Sequence, residues 1–270
     1  MSAETRHLAF DDHILADWPA PDHVLALTTT RRGGVSESPY KSLNLAHHVG
    51  DVTAAVEQNR RCLTDMAGIV GPVQWLRQVH GTGVHVPDPI NTNAAVPEAD
   101  AVVLMQPGMA GAVMTADCLP VFFCSETGHC AGVAHAGWRG LAAGVLERAL
   151  EKMAVPASAV HVWLGPAIGP CHFEVGEDVL QAFMNRAGSD RQLQVAFQGA
   201  FVPVPDAQPQ KWLADLYALS ASVLRSLGVN SIHGGGFCTY CDDRFFSYRQ
   251  QSVTGRMASL IYLKPASLAT

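Results

Sequence analysis

Three apolar runs, 112–115, 121–124 and 131–134, constrain the fold most, because only five and then six residues separate them. A parallel crossover needs a dozen or more residues, so runs this close require local antiparallel pairing. Further β-branched runs bounded by Gly or Pro read as strands at 24–30, 73–79, 101–104, 160–164 and 259–263. Several are continuously apolar, the pattern of strands buried on both faces. Helices follow from a different period. After Asp51 as N-cap, Ala55, Val56, Cys62, Leu63, Met66 and Ala67 recur at three and four, interrupted only by Asn59 and stopped by Gly68. Three more helices are expected at about 141–153, 177–186 and 209–227, and the Pro-rich 201–209 reads as a long loop. The result is an α+β protein whose sheets are covered by helices, not a doubly wound nucleotide fold. No linker composition or internal repeat divides residues 1–270, so one domain is the economical reading.

Hydrophobic residues make up 48% of the chain and charged ones 16%, which rules out a disordered chain. A net charge of −6 argues against nucleic-acid partners bound through phosphate neutralisation and against a polybasic membrane surface. No apolar run approaches the roughly 18–20 residues that span a bilayer. The N-terminal segment has neither a basic n-region nor an uninterrupted apolar stretch, so no cleaved signal is expected. With seven scattered cysteines, an odd number, this reads as reduced thiols and a cytoplasmic location. Twelve histidines make metal chemistry worth testing.

Three residues stand where strands end at turns: His80 in Gln-Val-His-Gly, Cys118 in Thr-Ala-Asp-Cys-Leu-Pro, and His135 in Ala-His-Ala-Gly-Trp-Arg-Gly. Two imidazoles and a thiolate suit zinc, and three protein ligands would leave a fourth position open, as in catalytic sites. Their separations match no local zinc motif. A metal-free Cys–His nucleophilic pair explains the same residues equally well, and a lone cysteine is more often inert packing. Cys238-Thr-Tyr-Cys241 is a C-x-x-C with no second pair at usable spacing; His233 is its only close companion, and coincidence is the favoured reading.

Arginines beside glycines form the other constellation. Arg32-Gly33-Gly34 follows a strand and can form an anion-binding nest of backbone amides. Arg139-Gly140 opens the expected 141–153 helix, where free amides favour an anion, and Arg256 adds a third basic position. Gly165-Pro166-Ala167-Ile168-Gly169-Pro170 reads as plain turn chemistry. Together the arginines point to a small anion such as phosphate.

The words RRGGVSESPYKSLNLAHHVGD (31–51), QVHG (78–81), TADCLPVFF (115–123), AHAGWRG (134–140), WLGPAIGPCHFEVGEDV (163–179), FFSYR (245–249) and TGRMASLIYL (254–263) together span most of the chain. Through them the sequence resembles the bacterial laccase-domain family, whose members carry the names polyphenol oxidase, peptidoglycan editing factor and purine nucleoside phosphorylase. The resemblance implies a single α-β-β-α layered domain with mixed sheets, and zinc on His80, Cys118 and His135. It also implies phosphorolysis of purine nucleosides and methylthioadenosine, and deamination of adenosine. Within the matched segments Asn44 and His48 are expected as polar lining, and Asp117 as a residue that orients a ligand or shuttles a proton. Two departures stand out: Gln250-Gln251-Ser252 after Arg249, and Cys241 itself.

The expectation is therefore a zinc-dependent purine nucleoside phosphorylase acting on adenosine, inosine, guanosine and methylthioadenosine, with adenosine deaminase activity. Cys118, Asp117 and Arg139 are its catalytic candidates, and Arg32, Gly33, Gly34, Asn44 and His48 its binding candidates. A cupredoxin-type multicopper site needs several His-x-His pairs, and the chain has none. Copper remains a possible substitute for zinc at a His₂Cys site, and oxidase activity would then be adventitious. The rival readings are a metal-free cysteine amidase editing peptidoglycan precursors, a copper-dependent polyphenol oxidoreductase, and a nucleoside-sensing binding protein.

Overall fold

Alternation along the strands decides which layer each side chain serves. The computed structural model describes residues 12–88 and 95–265; part of the N-terminal segment read above for a signal lies outside them. The first sheet contains, in spatial order, β1 (Ile14–Leu15), β2 (Val24–Thr28), β14 (Met257–Leu263), β6 (Met109–Thr115) and β3 (Val73–Gln74). The second runs β13 (Ser231–Gly234), β9 (Val160–Leu164), β7 (Leu119–Ser125), β8 (Ala131–Ala136), β5 (Ala101–Leu104) and β4 (Val84–His85). Both are mixed: β3 pairs parallel to β6, β13 to β9 and β4 to β5, and the other pairings are antiparallel.

On β14, Ile261 and Leu263 face the second sheet, while Ala258, Leu260 and Tyr262 pack with Leu63 and Ala67 beside α1 (Thr53–Met66). On β7, Phe122 and Cys124 face the first sheet, and Leu119, Val121 and Phe123 face the opposite helical layer. That layer holds α2 (Trp138–Ala143), α3 (Val145–Met153), α4 (Glu177–Ala187), α5 (Arg191–Gly199) and α6 (Leu216–Ser226). The order of layers is α-β-β-α, as the resemblance implied. Strands with two apolar faces arise because each sheet has a neighbour on both sides. A wholly buried side chain such as Phe122 contributes about 1.5–3 kcal/mol over leaving it in water.

Several expectations are corrected. The runs 112–115 and 121–124 do not pair; β7 pairs with β8, whereas β6 belongs to the other sheet. The chain changes layers at residues 116–118. The 73–79 strand ends at Gln74, and only an isolated bridge from Arg77 to Glu98 continues it. The 141–153 helix starts at Trp138 and breaks at Gly144, whose φ of 104° is a conformation other residues adopt at a cost. The 209–227 helix begins only at Leu216, because Asp215 caps it by accepting from the Ala218 amide. Residues 211–214 instead form β12 (Lys211–Ala214), the middle of a three-stranded sheet with β10 (Glu174–Gly176) and β11 (Phe201–Pro203), so 201–209 is not simply a loop. Helix α5, capped by Asp190, was not foreseen. Asp51 does not cap α1; its carboxylate takes the Val52 amide and the Asn44 side chain.

Candidate functional site

Cys118 sits at the corner where the chain passes between sheets. Asp117 takes a left-handed φ of 94° there, a strained conformation held by three hydrogen bonds. Its Oδ1 accepts from Thr239 Oγ1 at 2.7 Å, its Oδ2 from the Arg249 amide at 2.7 Å, and its carbonyl from the Ile168 amide at 2.9 Å. With both carboxylate oxygens engaged, Asp117 fastens the corner and aims the neighbouring Cys118.

His135 comes from β8, paired with Pro120 of β7, and is 3% exposed. His80 lies on the loop after β3. Gln78 anchors that loop by lending its side chain to the edge of β6: its Oε1 accepts from the Met114 amide at 2.7 Å and its Nε2 donates to the Met114 carbonyl at 2.8 Å. Asp100, fully buried ahead of β5, then gathers the loop. It accepts from the amides of Val79 (3.2 Å), His80 (3.0 Å) and Gly81 (2.7 Å), and its Oδ1 lies 2.8 Å from His135 Nδ1. Sequence reading missed Asp100. Its one local signal is a carboxylate immediately before a continuously apolar strand.

The donor atoms of His80, Cys118 and His135 all lie within 4.8 Å of one another, with Cys118 Sγ 4.0 Å from His80 Nε2. The two imidazoles meet edge to face at a centroid distance of 4.8 Å. Gly137 closes over them. A Cβ there would come within 3.0 Å of His80 Cδ2 and 3.1 Å of Cys118 Sγ. Burial resists charge on Cys118, but the His135 and His80 imidazoles pull its thiol below the usual range. Burial likewise resists charge on His135, yet Cys118 and Asp100 hold it above the usual imidazole range. Asp100 itself is held low by its hydrogen bond to His135 and its backbone donors, against the effect of burial. These residues fit a metal ion: Asp100 occupies Nδ1 of His135, leaving Nε2 to face Cys118, and carboxylate-backed histidine is the usual support for a metal ligand.

The other candidates divide. Asn44 is fully buried. Its Nδ2 donates to the Ala46 carbonyl and Asp51, and its Oδ1 accepts from the Ala46 and Arg256 amides, so it braces the backbone rather than lining a cleft. The Gly33-Gly34 nest is not formed as expected. The Gly34 amide donates to Ser42 Oγ and the Val35 amide to Asn59 Oδ1, and Gly34 lacks a side chain because the Ser42 carbonyl lies 2.3 Å from where its Cβ would be. Asn59, which broke the helical pattern, is the hub of this loop, donating to Ser36 Oγ and to the carbonyls of Ser42 and Asn44. Arg32 is exposed and pairs with Asp243. Arg139 is exposed and stacks on Trp138, in the first turn of a six-residue helix. Arg256 is the better placed cation. Burial lowers it, and the charges of Cys118 and Asp117 act on it. His48 is lowered by desolvation and then by Arg256 and Arg60, which marks a positive region there.

Cys238 and Cys241 are not a coincidental pair. Cys171 and His172 join them, with donor atoms all within 4.8 Å, whereas His233 is turned to Ser231 Oγ at 2.8 Å.

Fold and site together define a layered α+β protein with a three-donor His₂Cys centre at an inter-sheet corner. Residues 25–264 match the family described as multi-copper polyphenol oxidoreductase laccase, and the chain belongs to that family. It is 49% identical over 249 residues to a Pseudomonas aeruginosa protein named purine nucleoside phosphorylase, covering 92% of this chain and 97% of that one. Purine nucleoside phosphorylase YfiH of Escherichia coli is 45% identical over 253 residues, covering 93% and 98%. Among solved structures, a Neisseria meningitidis protein of family DUF152 has a TM-score of 0.85 at 45% identity, covering 94% of this chain and 100% of that one. YlmD of Geobacillus stearothermophilus has a TM-score of 0.82 at 28% identity, covering 90% and 93%.

Proposed function

We propose that this chain is a zinc-dependent purine nucleoside phosphorylase, a single catalytic domain that works in the cytoplasm. Its substrates are adenosine, inosine, guanosine and methylthioadenosine with phosphate, and it also deaminates adenosine. The observation that carries the reading is the His80–Cys118–His135 centre backed by Asp100, in a chain whose relatives at 42–49% identity bear the phosphorylase name. His80, Cys118 and His135 would hold the zinc, which would supply Lewis acidity there. Asp100 keeps His135 in one tautomer and orientation. Asp117 holds Cys118 in place and is a positioning residue, which replaces the proton-shuttle role. Arg256 grips phosphate beside the centre, where a partly buried guanidinium acts more strongly than in water, and Arg139 assists from the rim. The reaction needs a phosphate held against the ribose C1′ while the purine leaves, so positioning and charge carry most of it.

The multi-copper name is not adopted for this chain. Among the described residues, the candidate metal-binding groups are the trio and one four-residue cluster, and neither offers the histidine pairs of a trinuclear copper centre.

A second reading, the cysteine amidase, is favoured by one observation: Cys118, His135 and Asp100 line up as thiol, imidazole and carboxylate, with the thiol lowered. Metal analysis and product analysis separate the two. Incubation of adenosine with zinc-loaded protein should release adenine only when phosphate is present, and inosine with or without it. No turnover of any of the four nucleosides, with amide hydrolysis by metal-free protein, would replace the phosphorylase with the amidase.

A further inference from the structure

Two loops remote in sequence bring four soft donors together on the outside of the catalytic corner. Cys171 Sγ lies 3.5 Å from Cys238 Sγ and 3.7 Å from Cys241 Sγ, and Cys241 Sγ lies 3.2 Å from His172 Nδ1. Sulfurs bound tetrahedrally to one zinc at about 2.3 Å are about 3.8 Å apart, close to the two sulfur–sulfur separations here, and all four donor atoms lie within 4.8 Å of one another. The surrounding backbone supports the cluster. The Cys241 and Asp242 amides donate to the Cys238 carbonyl at 3.1 and 3.0 Å, so the C-x-x-C turns tightly and brings its two cysteines to one side. Gly169 lets the loops approach, since a Cβ on it would meet Cys238 Cβ at 3.0 Å and Cys171 Sγ at 3.4 Å. His172 lies flat on Tyr240, rings 4.1 Å apart and 14° from parallel, which fixes the imidazole.

We propose that Cys171, His172, Cys238 and Cys241 form a second metal site, a closed Cys₃His site for zinc that clasps the 165–173 loop to the 237–242 loop. Four protein ligands leave no open position, so this ion is structural, unlike one at His80, Cys118 and His135. Its consequence for the catalytic corner runs through Thr239, which lies between the two C-x-x-C cysteines and donates to Asp117 Oδ1 at 2.7 Å. The same clasped loop holds Ile168, whose amide binds the Asp117 carbonyl. Closing the second site therefore fixes two of the three groups that hold Asp117, and through it the backbone of Cys118.

The test is metal stoichiometry on the full chain loaded with zinc alone and then with cobalt. Two equivalents are expected in the parent and one each in Cys118→Ala and in the Cys171→Ser/Cys241→Ser double variant. With cobalt, Cys118→Ala should keep intense sulfur-to-cobalt charge-transfer absorption from three thiolates, and the double variant should show only the weaker band of one. His172→Ala leaves all three thiols in place; it should lower zinc affinity at the second site roughly tenfold or more, the loss typical of a disturbed metal site. That variant is read by chelator competition if the double variant does not fold. One equivalent in the parent, undiminished metal in the double variant, or unchanged affinity in His172→Ala would overturn the proposal. So would a disulfide among the three cysteines found by thiol alkylation and mass spectrometry of the zinc-loaded protein.

Discussion

Asp100 Oδ1 and His135 Nδ1 are 2.8 Å apart inside the second sheet, and the same carboxylate takes the amides of Val79, His80 and Gly81. One buried charge thus orients the His135 imidazole and shapes the loop that carries His80.

Asp100→Asn keeps the shape but removes the charge and places an amide where an acceptor is needed. Zinc affinity at the His80–Cys118–His135 centre should fall about 10–100-fold, the usual consequence of losing a ligand's supporting partner. Chelator competition measures it. Unchanged affinity would show that Asp100 serves the loop alone.

Gly137→Ala should act on the metal centre with little effect on the fold. Its φ of −63° suits any residue, but the added methyl meets His80 and Cys118 at about 3 Å. Zinc affinity should fall at least about tenfold, equivalent to ~1.4 kcal/mol. The urea midpoint of the metal-free protein should stay close to that of the parent. A large loss of metal-free stability with unaltered zinc binding would contradict this.

For the anion, Arg256→Lys and Arg139→Lys keep the charge and lose the planar fork. Phosphorolysis of adenosine should drop more than deamination in both, and further in Arg256→Lys because that group is partly buried and feels the charges of Cys118 and Asp117. Arg32→Lys should change neither, since Arg32 is exposed and paired with Asp243. The readout is the ratio of adenine to inosine formed. Equal loss of both products in Arg256→Lys would make it a structural residue.

His13 makes stability depend on pH. Its ring is 6% exposed, neither nitrogen has a hydrogen-bond partner among the described residues, and burial pushes its pKa down to about 4. The unfolded chain, with a value near 6.5, binds more protons between those limits. Its contribution is therefore complete above about pH 6.5 and is lost as pH falls through about 4, by up to about 3 kcal/mol. Urea unfolding between pH 7 and 4 should show a shallower acid decline in His13→Leu than in the parent. Parallel declines would exclude His13 as the source.

By itself the sequence determined the α+β class and the positions of most main strands, and it singled out His80, Cys118 and His135, although His80 stands on the loop after β3 and His135 within β8 rather than at strand ends. These are local signals. Short β-branched apolar runs, Gly and Pro stops, and contiguous motif words are all read within a few residues of chain. The same locality explains the errors. Residues 112–115 and 121–124 were close enough to pair, but a three-residue corner sends them to different sheets, and burial against opposite layers outweighs proximity. Asn44 and Asn59 looked like lining and interruption, yet they are buried hubs, because backbone groups brought to them by the fold must find partners away from water. Asp100 came to hold the His135 ring only when β5 was laid beside β8. Cys171 and Cys238 stand 67 residues apart in the chain and 3.5 Å apart in space. No spacing rule reaches that far; the packing of two loops against one corner decided it.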